Sequence, residues 1–526
     1  MGSETTFQTE MPETKISSKP IINIKQPEVS STPNFTWKTP HLLKLNAILI
    51  IPMLSSTTNG YDGSMLNGLQ SLPQWEAFMG KPEGAVLGAL SNGTTFGSII
   101  AFPVAALIAD KFGRKTAIGT GSICVCVGAI LQCTSVNYAM FLISRMILGF
   151  GSFISVVASP SLISELAFPS HRGVVSAVYN TLWYVGAVLA AWITFGTYFM
   201  KHSNWAWRMP SLLQAFFPAF QVVFVWYIPE SPRFLVHRGR YNEARELLTK
   251  YHVGGDTETY RDFIESEIAE IIGTIESEKV FAKSGYSEFI STKPNMRRLA
   301  ICCFMAFGIA FSGSGLVSYY LNKVLDSIGI TSPVQQLTIN GGLMIYNCGT
   351  AIVLAVLTAF CRRRYSFLIG FSGMLVTYVI WTILSYLDIQ RGFPQPLGQG
   401  VLAMIFLYYG CYNLCMNGLP FLYLTEVLPY HLRGKGINIT NFLVQIVLIF
   451  NGFVNPVGIE RLGPKYYIVF CCAITVEITI IWYLFPETYG YSLEQAAIAF
   501  GDYTKQLPKD SSGVAETDAQ AHGNSQ

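Results

Sequence analysis

The 526-residue sequence is 51% hydrophobic and only 13% charged, against roughly 25% charged for an average soluble protein. This composition excludes an ordinary soluble protein, and the 46 Gly and 35 Phe residues fit a bundle of membrane-spanning helices. The net charge of +3 is too small to indicate nucleic-acid binding. The sequence has no phosphate-binding glycine loop followed by Lys and no His pair at zinc spacing, so we predict no enzyme, cofactor or metal site.

The apolar stretches divide the chain into two groups of six predicted spans. Each stretch is about 20 residues long, which is enough for a helix to cross a hydrocarbon core of about 30 Å. The sequence predicts an all-α polytopic membrane protein with twelve transmembrane helices, at residues 42–68, 84–108, 117–135, 139–165, 174–198, 209–228, 299–323, 338–360, 366–388, 400–428, 437–457 and 465–485.

The predicted spans define five segments. We expect a disordered cytoplasmic tail at 1–41, an N-terminal six-helix bundle at 42–228, a linker at 229–297, a C-terminal six-helix bundle at 298–485 and a second tail at 486–526. Within the linker, residues 241–251 and 260–279 have apolar residues at helical spacing among charged ones. This pattern predicts amphipathic helices that lie under the bundle and do not span it.

Basic residues in the short loops predict the orientation, because cytoplasmic loops carry an excess of Lys and Arg. The loops after the second, fourth, eighth and tenth predicted spans are basic, with Lys111, Arg114, Lys115, Arg172, Arg362, Arg363, Arg364, Arg433 and Lys435. We therefore predict that these loops, the linker and both termini are cytoplasmic. The difference in basic residues between the two sides is reduced by four residues in loops on the other side: Lys201, Arg208, Arg461 and Lys465.

The two halves look like copies of one another. Glu165 precedes Arg172-Gly173 after the fourth span, and Glu426 precedes Arg433-Gly434 at the same spacing after the tenth. Pro229-Glu230-Ser231 after the sixth span corresponds to 486–488 after the twelfth. A pair of related six-helix bundles, with a site between them, is an architecture of secondary transporters.

Several ordered motifs extend this interpretation. They are Gly60-Tyr61-Asp62, residues 110–115, Arg145, Pro160 through Arg172-Gly173, Trp207-Arg208, residues 229–234, Tyr319-Tyr320, residues 426–436 and residues 486–490. Over residues 42–500 the chain resembles the sugar porter family of the major facilitator superfamily. Residues 454–456 and 465–469 are similar to the fungal lactose and cellodextrin permease branch. The resemblance implies a carrier that moves a sugar or similar small organic solute by alternating access, coupled to protons.

Asp62 and Arg145 are the predicted proton-coupling pair. A carboxylate inside a span is costly in free energy unless it faces a cavity, pairs with a base or titrates, and the family pattern places Arg145 opposite Asp62. Two alternatives remain open: Asp62 could be a structural hydrogen-bonding group in a broken helix, and Arg145 could extend to lipid headgroups.

The resemblance also implies a substrate site and a cytoplasmic gate. The implied substrate-binding residues are Asn180, Tyr319, Tyr320, Asn340 and Asn451, although Asn in a span can equally join helices to one another. The implied gate residues are Arg114, Glu165, Arg172, Glu230, Arg363, Glu426, Arg433 and Glu487. Salt bridges between these residues would latch the halves together. Alternatively, the residues could be static determinants of topology.

The sequence departs from the family pattern at the implied sugar site. Ala310, Ser314, Met416 and Gly452 stand where the family usually has Gln, Asn, an aromatic residue and Gln. Since such changes remove hydrogen-bonding groups, an exporter of a less polar metabolite is an alternative function. A nutrient receptor that does not transport is an alternative from a different class.

For the carrier we expect a functional monomer in the plasma membrane whose partners are the solute, protons and lipid.

Overall fold

The computed structural model describes residues 39–201, 203–256, 258–282, 285–391, 395–490 and 500. Every regular element in these residues is helical, and no strand occurs among them. The predicted tail at 1–41 lies almost wholly outside the described residues, as does most of the tail at 486–526.

All twelve predicted spans are helical. In chain order, with broken helices given as two pieces, they are α1 (Pro40–Leu69), α2 (Gly84–Phe112), α3 (Arg114–Cys133), α4 (Tyr138–Leu166), α5 (Arg172–Tyr198), α6 (Trp205–Leu213 and Phe216–Phe224), α7 (Lys293–Phe311 and Ser314–Asp326), α8 (Pro333–Phe360), α9 (Arg363–Gln390), α10 (Gln395–Cys415 and Leu419–Val427), α11 (Tyr430–Leu462) and α12 (Tyr466–Leu484).

Ten stretches of the described chain are long and apolar enough to cross a membrane. One of them, His431–Leu484, contains both α11 and α12. The first helix is not among the ten, because its buried face carries many polar residues, including Ser55, Thr58 and Asn67. A polar face that is buried inside a bundle lowers the mean hydropathy of a span without exposing those groups to lipid.

Three helices that the sequence predicts as continuous, α6, α7 and α10, are broken. In α7 the break lies at Ser312–Gly313, where Gly313 has a φ of 95°; its carbonyl accepts a hydrogen bond from the Tyr378 hydroxyl at 3.1 Å. In α10 the break lies between Cys415 and Leu419. Backbone groups freed at membrane depth must find partners inside the protein, as the Gly313 carbonyl does.

Small residues let the helices approach closely in the first half. A Cβ atom added to Gly149 of α4 would lie 1.9 Å from the carbonyl oxygen of Thr94 in α2. The same atom on Gly186 of α5 would lie 1.9 Å from the carbonyl oxygen of Thr57 in α1. Backbone contact of this kind is the usual basis of helix association in membranes, where apolar burial gives little driving force.

The linker contains the two amphipathic helices that the sequence predicts, at Tyr241–His252 and Arg261–Ala282. Their apolar faces join a cluster with Leu166 and Phe168 of the first half. The buried His252 ring connects the two parts: Nε2 donates to the Leu166 carbonyl at 3.1 Å and Nδ1 faces Glu267 Oε2 at 3.0 Å. The linker therefore packs against the charged-loop end of the first half.

Candidate functional site: a central cavity and a buried ion pair

A cavity of about 420 Å³ lies between the two halves. Its wall is formed mainly by aromatic, amide and small side chains from both halves, with α1, α4 and α5 on one side and α7, α8, α10 and α11 on the other. The main contributors are Ser56, Asn59, Tyr179, Asn180, Trp183, Tyr184, Ser314, Ser318, Tyr319, Met344, Asn347, Tyr409, Tyr412, Asn413, Met416, Asn417 and Phe421. Among the described residues, none that line this cavity is Asp, Glu, Lys, Arg or His.

The cavity is closed at the end away from the charged loops. Asn67 Nδ2 at the end of α1 donates to Asn340 Oδ1 at 3.2 Å. Gln70 Nε2 donates to the Tyr319 carbonyl at 2.9 Å, and the Gln70 carbonyl accepts from Asn322 Nδ2 at 3.3 Å. These bonds join the halves beyond the cavity. Toward the charged loops the wall includes Phe421, which is 44% exposed.

Asp62 and Arg145 form a buried ion pair beside the cavity. Arg145 Nη1 lies 3.5 Å from Asp62 Oδ1, and the side chains are 2% and 7% exposed. Gly63 and Ser64, the next residues of α1, line the cavity. Arg145 therefore points into the first half, not toward headgroups, and Asp62 lies within α1, not at its cap. A buried pair of this kind is stable only while both charges are present, so a proton on Asp62 would weaken it.

The structure brings two of the five implied substrate-binding residues to the cavity, Asn180 and Tyr319. The other three take part in hydrogen bonds between or within helices. Tyr320 donates its hydroxyl to the Gly452 carbonyl at 2.7 Å, Asn340 accepts from Asn67, and Asn451 Nδ2 donates to the Ala310 carbonyl at 2.5 Å. These bonds correspond to the alternative that the sequence left open, in which Asn joins helices. Asn451 also lines a small pocket together with Tyr319 and Leu448, which line the cavity as well. Substrate binding by these three residues stays a prediction.

The cavity wall also contains a polar cluster that was not predicted from the sequence. The Tyr184 hydroxyl lies 3.1 Å from Asn413 Oδ1 and 3.0 Å from Asn417 Oδ1. Asn413 Nδ2 donates in turn to Thr350 Oγ1 at 2.8 Å and to Asn347 Oδ1 at 3.3 Å. The signal for this cluster was weak: Tyr409, Asn413 and Asn417 recur at a spacing of one helical turn in an otherwise apolar span.

The charged motifs form matching structures in the two halves. Arg114 Nε lies 3.3 Å from Glu165 Oε2, and Arg363 Nε lies 3.2 Å from Glu426 Oε1. Glu230 accepts from the backbone N–H of Arg114 at 3.0 Å. Glu487 accepts from that of Arg363 at 2.9 Å.

These pairs lie within one half each, not between the halves as a direct latch would require. The reason is local: each Arg begins a helix immediately beside the end of the helix that carries its Glu. Arg172 is exposed at the start of α5 and Arg433 lies in the first turn of α11. In this structure the Arg–Glu pairs stabilise the charged-loop end of each half.

Two related six-helix bundles around a central cavity define a multi-pass membrane transporter of the major facilitator type. A model of the family described as "Sugar (and other) transporter" matches residues 48–500, and the chain belongs to this family. The membership confirms the predicted family and fold class, and it confirms that the chain is a carrier and not an enzyme.

Curated relatives and solved structures agree with this assignment. The chain is 29% identical to the MFS-type transporter oryC of Aspergillus oryzae, over 76% of this chain and 74% of that protein. It is 25% identical to the low-affinity glucose transporter HXT3 of Saccharomyces cerevisiae, over 78% and 72%. The fold is similar to a partially occluded inward-open conformation of the xylose transporter XylE from E. coli, with a TM-score of 0.71, 17% identity and coverage of 85% and 99%.

Proposed function

We propose that this protein is a secondary active transporter that moves a sugar or a similar small uncharged solute by alternating access, coupled to protons through Asp62 and Arg145. The observation that carries the proposal is the position of this buried ion pair beside a cavity that lies between the two halves. The protonation of a titratable group in that position depends on the proton concentration. Its charge in turn affects which arrangement of the two halves is stable.

Coupling follows from the chemistry of the pair. Arg145 stays charged, whereas Asp62 can bind a proton. Protonation removes the attraction between α1 and α4, the helices that carry the pair. The hydrogen bonds that close the far end of the cavity come from Asn67 of α1 and from Gln70, the residue that follows α1. The protonated and ionised forms therefore favour different arrangements of α1, and a proton can shift the equilibrium between the two access states.

The location and the assembly state belong to the same proposal. We place the protein in the plasma membrane with both termini, the linker and the Arg–Glu pairs on the cytoplasmic side, because the loops that carry the pairs are rich in Lys and Arg. Since both walls of the cavity come from a single chain, one copy provides a complete site. This supports a functional monomer.

Uptake of labelled lactose, glucose and xylose by cells that lack their own hexose and disaccharide carriers tests the proposal. We expect accumulation of at least one of these solutes above the level in cells that make no carrier. Efflux of a less polar compound with no sugar uptake would contradict the sugar substrate and leave the carrier function intact. Absence of flux in either direction would favour a receptor.

We further propose that the Arg–Glu pairs position helix ends that dock when the cytoplasmic side closes. Glu426→Gln should therefore favour the inward-open state, because Arg363 and Thr488 both bond this carboxylate. A Cys introduced at Leu448 in the cavity wall should react about threefold or more faster with a soluble thiol reagent applied from the cytoplasmic side.

The matched control is Glu265→Gln, which removes an exposed ion pair with Arg245 in the linker. It should leave the labelling rate of the same Cys unchanged. Equal labelling rates in Glu426→Gln and in the parent protein would contradict a role of the Arg–Glu pairs in closing the cytoplasmic side. The pairs would then only determine the topology.

A further inference from the structure

The strongest unexplained feature of the cavity is the Tyr184 cluster, defined as Tyr184, Asn413 and Asn417. It joins the two halves inside the cavity wall, since Tyr184 belongs to α5 and both Asn residues belong to α10 or its break. Asn417 lies directly at that break, beside Gly418. The cluster therefore occupies the place where a bound solute and the two halves meet.

The hydrogen bonds of this cluster are incomplete. A Tyr hydroxyl has one proton, yet two amide oxygens accept from it at 3.1 Å and 3.0 Å. With the amides in this orientation, one oxygen lacks a donor at any moment. The Asn413 nitrogen is already used, since it donates to Thr350 and Asn347. A solute hydroxyl would supply the missing proton and would compete with Tyr184 for the amide oxygens.

The rest of the wall restricts what kind of molecule carries that hydroxyl. The lining has no charged residue in the described chain, and an ion would lose its hydration there without a partner. Rings from both halves surround the space, among them Trp183, Tyr319 and Tyr412, while Met344 and Met416 add polarizable apolar surface. Aromatic and thioether groups favour a flat unsaturated ring through stacking and sulfur contacts.

We propose that the cavity selects an uncharged compound with a flat aromatic ring and a hydroxyl group, and that Asn413 and Asn417 are the residues that recognise the hydroxyl. This inference rests on the proposed transporter function and concerns the preference of its cavity: the ring compound should bind there more tightly than a sugar. Tyr184 holds the two amide oxygens in place, and the solute hydroxyl replaces Tyr184 as their donor.

Binding to the purified full-length protein tests this proposal without any gradient or transport. The probes are a hydroxycoumarin, the unsubstituted coumarin, which has the same ring and no hydroxyl, and D-glucose, which has hydroxyls and no flat ring. The pH is kept low enough for the phenolic hydroxyl to stay protonated. We expect the parent protein to bind the hydroxycoumarin about tenfold more tightly than coumarin, and more tightly than D-glucose.

Two variants test the amide oxygens and the tyrosine hydroxyl separately. Asn417→Ala should reduce the preference for the hydroxycoumarin over coumarin to about twofold or less, because one acceptor is lost. Tyr184→Phe should maintain or increase it, because the competing hydroxyl is removed while the ring stays. Tyr408→Phe is the matched control: its hydroxyl donates to the Ser312 carbonyl away from the cavity lining, and the preference should equal that of the parent protein.

The outcomes separate this inference from the proposed function. Equal binding of hydroxycoumarin and coumarin by the parent protein, or tighter binding of D-glucose, would overturn the substrate class. An unchanged preference in Asn417→Ala would overturn the role of the cluster; if that variant is poorly folded, Asn417→Ser takes its place. Selective binding without any flux in cells would instead contradict the transporter function and leave the inference standing.

Discussion

Asp62→Asn is expected to abolish accumulation of substrate against its gradient. The substitution nearly preserves the shape of the protonated side chain but removes its ability to release a proton. The carrier should then resemble a form that is permanently protonated, and neither a pH gradient nor a protonophore should change its rate. Exchange of labelled for unlabelled substrate should continue, since binding and rearrangement of the halves need no net proton movement.

The measurement is uptake with and without a protonophore, together with exchange at equal concentrations, using the solute found in the uptake screen. Asp388→Asn is the matched control. It also converts a carboxyl group that is shielded from solvent, near the end of α9. That carboxyl group has no hydrogen-bond partner in the described residues and lies outside the cavity lining. That variant should keep its response to the protonophore. If Asp62→Asn also keeps it, Asp62 is a structural acid in a facilitative carrier.

Gly149→Val should nearly eliminate folded protein. The first added carbon would lie 1.9 Å from the Thr94 carbonyl oxygen, and the other nearby atoms are also Thr94 backbone. Backbone cannot rotate aside as a flexible side chain can, so α4 and α2 must separate. Overpacking of a well-packed interior typically costs about 1–3 kcal/mol, and here the loss extends along a whole helix pair that contains Arg145.

Gly196→Val provides the comparison, because nothing lies within 4 Å of a Cβ atom at that position. The yield of monodisperse protein in detergent and its unfolding temperature should fall sharply for Gly149→Val. For Gly196→Val both should stay close to the parent values. A normal yield and unfolding temperature for Gly149→Val would show that the two helices tolerate separation and that their contact is not required for folding.

The sequence by itself determined the spans, the fold class and the family. Hydropathy and the basic charge of the loops are local properties of the chain, and insertion into a bilayer depends on them locally. The helices therefore lie within seven residues of their predicted limits. The duplicated motifs at Glu165 and Glu426 likewise predicted equivalent positions. The buried acid in α1 could be identified because a carboxylate in a span needs a special environment, and the structure gives it Arg145 at 3.5 Å.

Only the tertiary structure decided which side chains face the cavity. Tyr319 and Tyr320 are neighbours in the sequence, but their side chains have different surroundings. Because of the break at Gly313 and the non-helical backbone of Tyr320, Tyr319 lines the cavity whereas the Tyr320 hydroxyl bonds the Gly452 carbonyl. Helix breaks and helix rotation depend on contacts with residues far away in the chain, such as Tyr378 with Gly313. Hydropathy contains no information on these contacts, because an apolar span can present any of its faces to its neighbours.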